Sequence, residues 1–194
     1  MLVHGYFANR GYFGPLARAL DARGVAPIFA PDFSGTFAPI ERFAGELHRE
    51  IERIAEGTGQ SKVVLVCHSM GGLAARSYVA THGAGRVARL ITIGSPHHGT
   101  VHARLGAGVN ARQMQRGSAF LAELERREAE GGDRPQATSI YLPHDDLVAP
   151  QDSSRLDWAR NLALPGYGHI EIVEAPRLVE VLVDELREAG VEAR

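Results

Sequence analysis

Short apolar runs rich in β-branched residues alternate with longer segments of helical periodicity from one end of this 194-residue chain to the other. Strand-helix-strand repeats of that kind build a mostly parallel sheet, whose two apolar sides must both be covered by helices. Strands are expected at residues 2–4, 26–30, 62–67, 88–94, 138–142 and 161–164, and helices at 15–23, 39–56, 70–82 and 176–189. Within 39–56, Ile40, Phe43, Ala44, Leu47, Ile51 and Ile54 recur at steps of three and four, one stripe for the sheet. The expected fold is α/β, a sheet of about six strands with helices on both faces. At 44% hydrophobic, the chain can bury one sizeable core and is short for two, so a single domain over 1–194 is expected.

A net charge of −2 gives no reason to expect nucleic acid or an acidic membrane face as a partner. Lys62 is the one lysine, and the arginines are interleaved with acids, as in GELHREIERIAE, which suits solvated helix faces. A single cysteine, Cys67, excludes an internal disulfide. No apolar run approaches the roughly 20 residues of a membrane span, and MLVHGY has neither charged leader nor cleavage pattern. As written, the expectation is a soluble, cytoplasmic chain. Leu2 and Val3 resemble the tail of a longer strand, and a trimmed start would leave secretion open.

The stretch from 96 to 135 departs from the alternation, with a glycine-rich piece, LGAGV, followed by a charged helix over 118–130. Ser118 suits its N-cap, and Phe120, Leu121 and Leu124 form its apolar face. Two readings stand: a small insertion at about 100–135 over the carboxyl ends of the strands, where open α/β sheets bind ligands, or an ordinary surface helix.

VLVCHSMGG, residues 64–72, reads as a strand, a sharp turn and a helix start with Ser69 at the apex. Such a turn needs small residues two positions either side of the serine; Cys67 and Gly71 stand there. It leaves the Met70 N–H, at the positive end of the helix, beside the hydroxyl. The alternative is that Ser69 only caps the helix. A serine nucleophile needs a base oriented by an acid, both from loops after later strands. The strand at 138–142 runs into PHDDLVAP and that at 161–164 into PGYGHIE, so Asp145 or Asp146 is available as acid and His169 as base. A second oxyanion donor is expected in VHGYF, where Gly5 lets the Tyr6 amide turn inward, and His4 reads as a buried support.

With LVHGY, CHSMGG, ITIGSPHHGT, SIYLPHDDLVAP and GYGHI together, the sequence resembles α/β-hydrolases of the bacterial lipase and esterase group over most of its length. ARQMQRGSAFLAEL resembles the piece that follows Pro-His-His-Gly in such lipases, and SRLDWARNLALPGYGHI is similar to the very small, lidless Bacillus lipases. The resemblance implies a minimal α/β-hydrolase fold, Ser69 as nucleophile, His169 as base, and Asp145, first of the pair before Leu147-Val148, as acid. It implies an oxyanion hole from the Tyr6 and Met70 amides. Cys67 departs from the usual glycine, although alanine occurs there in some small lipases, so a buried packing role is expected. The first strands of the full hydrolase sheet are missing, as they are from the smallest lipases.

Ser95 follows a strand too, but Pro96 forbids a helix start with a donating amide, so it is expected as site wall. Some thermophilic lipases hold a structural zinc in an insertion. His97, His98 and His102 lack a cysteine cluster or an HExxH pattern beside them, so no metal or other cofactor is expected. Tyr6, Phe7, Tyr12, Phe13, Met70 and Tyr167 sit on expected loops and suggest an apolar acyl pocket. The expected function is a monomeric carboxylic ester hydrolase for small-molecule or lipid esters of short to medium chain, without interfacial activation. A thioesterase, amidase or acyltransferase using the same triad is the alternative, and a non-catalytic binding protein of the same fold is a further one.

Overall fold

A computed structural model describes residues 1–191. Among them, five strands form one all-parallel sheet in sequential order: β1 Leu2–Val3, β2 Val63–His68, β3 Val87–Ile93, β4 Gln136–Tyr141 and β5 Arg160–Ala163. The register pairs Val3 with Cys67, His68 with Ile93, Ile93 with Ile140 and Tyr141 with Ala163. All five carboxyl ends therefore open onto one edge, and the loops that follow them meet there.

The expected strand at 26–30 does not join the ladder. It lies alongside β1 with one hydrogen bond, from Leu2 N–H to the Phe29 carbonyl at 2.7 Å, and Pro27 has no N–H to give.

Side-chain alternation sorts the core into two layers. Leu2, Val66, Ile91 and Ile140 pack with helices α1 (Gly14–Asp21) and α6 (Pro176–Glu188). Val3, Leu65, Cys67 and Leu90 pack with α2 (Ile40–Thr58) and α3 (Met70–His82). The α2 stripe is buried as its spacing requires, and each of its large side chains contributes about 1.5–3 kcal/mol by leaving water. Gly59, at φ 71°, ends that helix in the left-handed region.

Between β3 and β4, a short helix α4 (Gly108–Gln113) precedes α5 (Ala119–Glu130). Ser118 caps α5, its Oγ accepting the Leu121 N–H. Leu121 and Leu124 join Met70, Leu73 and Ala74 of α3, and a bidentate buried ion pair, Arg76 to Glu128 at 2.8 and 2.7 Å, ties the two helices. No helix among the described residues is long and apolar enough to cross a membrane.

Candidate active site

The end of β2 makes the sharp turn its sequence suggests. Ser69 has φ 56° and ψ −129°, one of two non-glycine residues among those described with positive φ. Such backbone costs about 1–3 kcal/mol and persists only where its surroundings impose it. Here Ser69 N–H is fixed on the Ile93 carbonyl at 2.9 Å, and α3 starts at once. Gly71 lets the helix press on β1: a Cβ there would stand 2.5 Å from the Val3 carbonyl oxygen and 2.8 Å from that of His4. Cys67 is wholly buried among Val3, Leu65 and Ala75, and burial pushes its thiol far up, so it packs as a small neutral side chain.

The loops after β4 and β5 bring two more expected residues into contact. His169 Nδ1 lies 2.9 Å from Asp145 Oδ2, both side chains buried. The carboxylate accepts, so Nδ1 carries a proton, and in the neutral imidazole that tautomer places the lone pair on Nε2. The other Asp145 oxygen accepts the N–H groups of Leu147 at 2.9 Å and Val148 at 2.7 Å, which fixes the carboxylate plane. Asp146 faces the same loop differently: its Oδ1 accepts the backbone N–H of His169 at 2.9 Å, and that bond holds its carboxyl below the usual range. Gly94, at φ 55°, clears room for the pair; a Cβ there would stand 3.1 Å from Asp145 Oδ2 and 3.2 Å from His169 Nδ1.

The loop after β1 crosses directly over the turn. A Cβ on Gly5 would stand 2.6 Å from Ser69 Cβ and 3.2 Å from Met70 N, so only glycine lets the Gly5–Tyr6 backbone lie against the Met70 amide. His4 is buried beneath it, its Nδ1 3.1 Å from the Gly5 carbonyl and its Nε2 accepting the Phe33 N–H at 3.3 Å. The next residue, Phe7, holds φ 57° and is 72% exposed.

Ser69 and His169 line one cleft of about 740 Å³. Tyr6, Phe7 and Tyr12 line it too, together with Ala103, Leu105, Met114, Leu147 and Ile170. Three residues expected in an acyl pocket lie elsewhere: Phe13 is buried in the α1–α6 layer, Tyr167 packs against that layer, and the Met70 side chain sits between α3 and α5. Aromatic loop residues had two places to go, and the α1–α6 layer took Phe13 and Tyr167. The 100–135 stretch divides. Residues from Thr100 to Met114 wall the cleft, whereas α5 packs beside α3 and does not cover it. Leu147 and Ile170 were not foreseen, although each sits within two residues of Asp145 or His169.

Ser95 is not in the cleft wall. It is fully buried against Gly72, and neighbouring Pro96 takes the wall position. The three histidines after β3 are held apart: His97 on Thr92 at 3.0 Å, His98 on Glu125 at 3.3 Å, and His102 on the Leu147 carbonyl at 3.3 Å. His68, just before the serine, is also buried, with Nε2 2.9 Å from the His169 carbonyl oxygen.

A family profile described as alpha/beta hydrolase fold matches residues 1–121. The chain is 32% identical over 139 residues to a triacylglycerol lipase of Pseudomonas fragi, covering 64% of this chain and 46% of that protein. It is 35% identical over 114 residues to a triacylglycerol lipase of Vibrio cholerae, covering 56% and 36%. The chain thus spans less than half the length of these relatives. In structure it is similar to the mature form of a Bacillus licheniformis lipase, with a TM-score of 0.84 at 19% identity over 95% of this chain and 90% of that one. It is also similar to Aspergillus fumigatus lipase B, with a TM-score of 0.82 at 19% identity over 96% and 51%. A parallel sheet whose second strand turns through a strained serine into a helix, and a profile match over more than half its residues, make this chain a member of the alpha/beta-hydrolase fold family.

Proposed function

We propose that the chain is a carboxylic ester hydrolase of the lipase and esterase kind, acting through an acyl-enzyme on Ser69. The observation that carries this reading is the Asp145–His169 contact at 2.9 Å, which in the neutral ring reserves the Nε2 lone pair to act as base, with His169 and Ser69 lining one cleft. His169 takes the Ser69 proton as Oγ attacks the ester carbonyl, and the tetrahedral oxyanion is held by the Tyr6 and Met70 amides. Each donor contributes on the order of 3 kcal/mol to the barrier. The imidazolium, steadied by Asp145, returns the proton to the departing alcohol; water then attacks the acyl-serine by the same route and frees the acid.

An apolar, open-mouthed cleft suits short- to medium-chain acyl groups, and the triacylglycerol lipases among its relatives make glyceride esters a natural class to test. Replacing Ser69 with Ala is expected to abolish hydrolysis of p-nitrophenyl butyrate and labelling by an alkyl phosphonate with the circular-dichroism spectrum unchanged. Wild-type turnover in that variant would end the reading.

A further inference from the structure

His68 is buried, polar and without a part in the proton transfer proposed above. Its ring leaves β2 one residue before Ser69 and reaches the loop that carries His169, with the two imidazole centroids 4.6 Å apart. Nε2 lies 2.9 Å from the His169 carbonyl oxygen; a carbonyl only accepts, so Nε2 carries the proton. Tyr12 completes the contact, donating its hydroxyl to the Ile170 carbonyl at 2.8 Å while standing 3.5 Å from that of His169 and 3.3 Å from His68 Nε2. Tyr12 is also a lining residue of the cleft, and its hydroxyl is bound to this loop.

The amides of the loop are held as well. Gly166 N–H meets His144 Nδ1 at 3.0 Å, Gly168 N–H meets Glu171 at 2.8 Å, and His169 N–H meets Asp146 at 2.9 Å. Among these ties, the one from His68 starts at the residue covalently joined to Ser69. Asp145 fixes the rotation of the His169 ring, and His68 fixes the main chain from which that ring hangs.

We propose that His68, seconded by Tyr12, is a positioning residue for ester hydrolysis: its Nε2–H grip on the His169 carbonyl sets the spacing between the Ser69 hydroxyl and the His169 imidazole. The proposal rests on the reading of Ser69 and His169 as nucleophile and base. A neutral donor is what that place demands, because a second cationic ring 4.6 Å away would oppose the imidazolium formed in each cycle. Burial, reinforced by the neighbouring His169, keeps His68 well below the ordinary imidazole range.

Glutamine places its Nε2 three bonds from Cβ, as imidazole does, so His68→Gln keeps the donor and His68→Leu removes it. The measurements are kcat and KM on p-nitrophenyl butyrate, the rate of phosphonate labelling, and the thermal unfolding midpoint. In His68→Leu, kcat and labelling rate are expected to fall on the order of 10²-fold with KM nearly unchanged, as for a displacement of about 1 Å in a reacting pair. His68→Gln is expected to recover most of that loss. Tyr12→Phe is expected to show a smaller fall in the same two rates. A lowered midpoint in His68→Leu with a wild-type labelling rate would overturn the proposal. If that variant does not fold, a wild-type labelling rate in Tyr12→Phe overturns it instead. Labelling of the wild type but not of Ser69→Ala separates the two levels: without that contrast the hydrolase reading itself falls, and with it only the positioning role is at stake.

Discussion

Asp146 holds the main chain of His169 while its neighbour Asp145 holds the imidazole, each at 2.9 Å. Two adjacent carboxylates thus fix one residue from two sides, and only one of them touches the imidazole ring, the group that the proposed mechanism charges. Asp145→Asn is expected to lower kcat about 10⁴-fold, because an amide there favours the wrong imidazole tautomer. Asp146→Asn keeps an acceptor for the His169 N–H and is expected to cost far less. Comparable losses in steady-state kinetics of the two variants would refute this division.

The two ends of the helical layer respond oppositely to a methyl group. Gly71→Ala forces a Cβ to 2.5 Å from the Val3 carbonyl oxygen, so α3 must move off β1 and take Ser69 with it. Gly45, inside α2, has nothing within 4 Å of an added Cβ, and Gly45→Ala is expected to stabilise by about 0.5–1 kcal/mol. Urea unfolding and esterase rate separate them: loss of both for Gly71→Ala, a gain in stability with unchanged rate for Gly45→Ala.

Stability is expected to decline as pH falls below about 6.5, the ordinary imidazole value. His68 and His97 lie well below it, both chiefly through burial, with His169 next in weight for the first and Arg76 for the second. A depressed folded value means that the unfolded chain binds protons first, so the contribution is complete above the unfolded value and lost on acidification. Each histidine adds a slope of about 1.4 kcal/mol per pH unit within that window. His97→Gln should remove one such increment from the curve of unfolding free energy against pH between 5 and 8; an unaltered curve would contradict the assignment.

Exposed large apolar side chains gather at the cleft mouth: Phe7, Leu105, Leu147 and Ile170 line it, and the Phe37 ring lies tilted against that of Phe7, with centroids 5.9 Å apart. Leu105 is 89% exposed, so Leu105→Asn leaves the core intact. It is expected to lower kcat/KM for p-nitrophenyl octanoate several-fold while barely changing that for acetate, since only the longer chain reaches the rim. Equal effects on both esters would place the acyl chain elsewhere.

Much of this organisation is written locally. The 3.6-residue stripe of α2, the Ser118 cap and the small residues around Ser69 depend on neighbours a few positions away, and Asp145 and His169 stand in the loops that follow β4 and β5. The edge segment at 26–30 shows the limit: its composition suits a strand, but pairing there depends on what β1 has to offer, and Pro27 gives nothing back. The residues that only the tertiary structure could assign are those whose partners are remote in sequence. Tyr12 and His68 meet a carbonyl more than 100 residues away, Phe13 turns into the core and Tyr167 packs against it instead of lining the cleft, and α5 lies beside α3 instead of over the site. Spacing along a chain specifies which face of a helix or strand a side chain occupies. What that face then meets is decided by packing, through distances that no local pattern encodes.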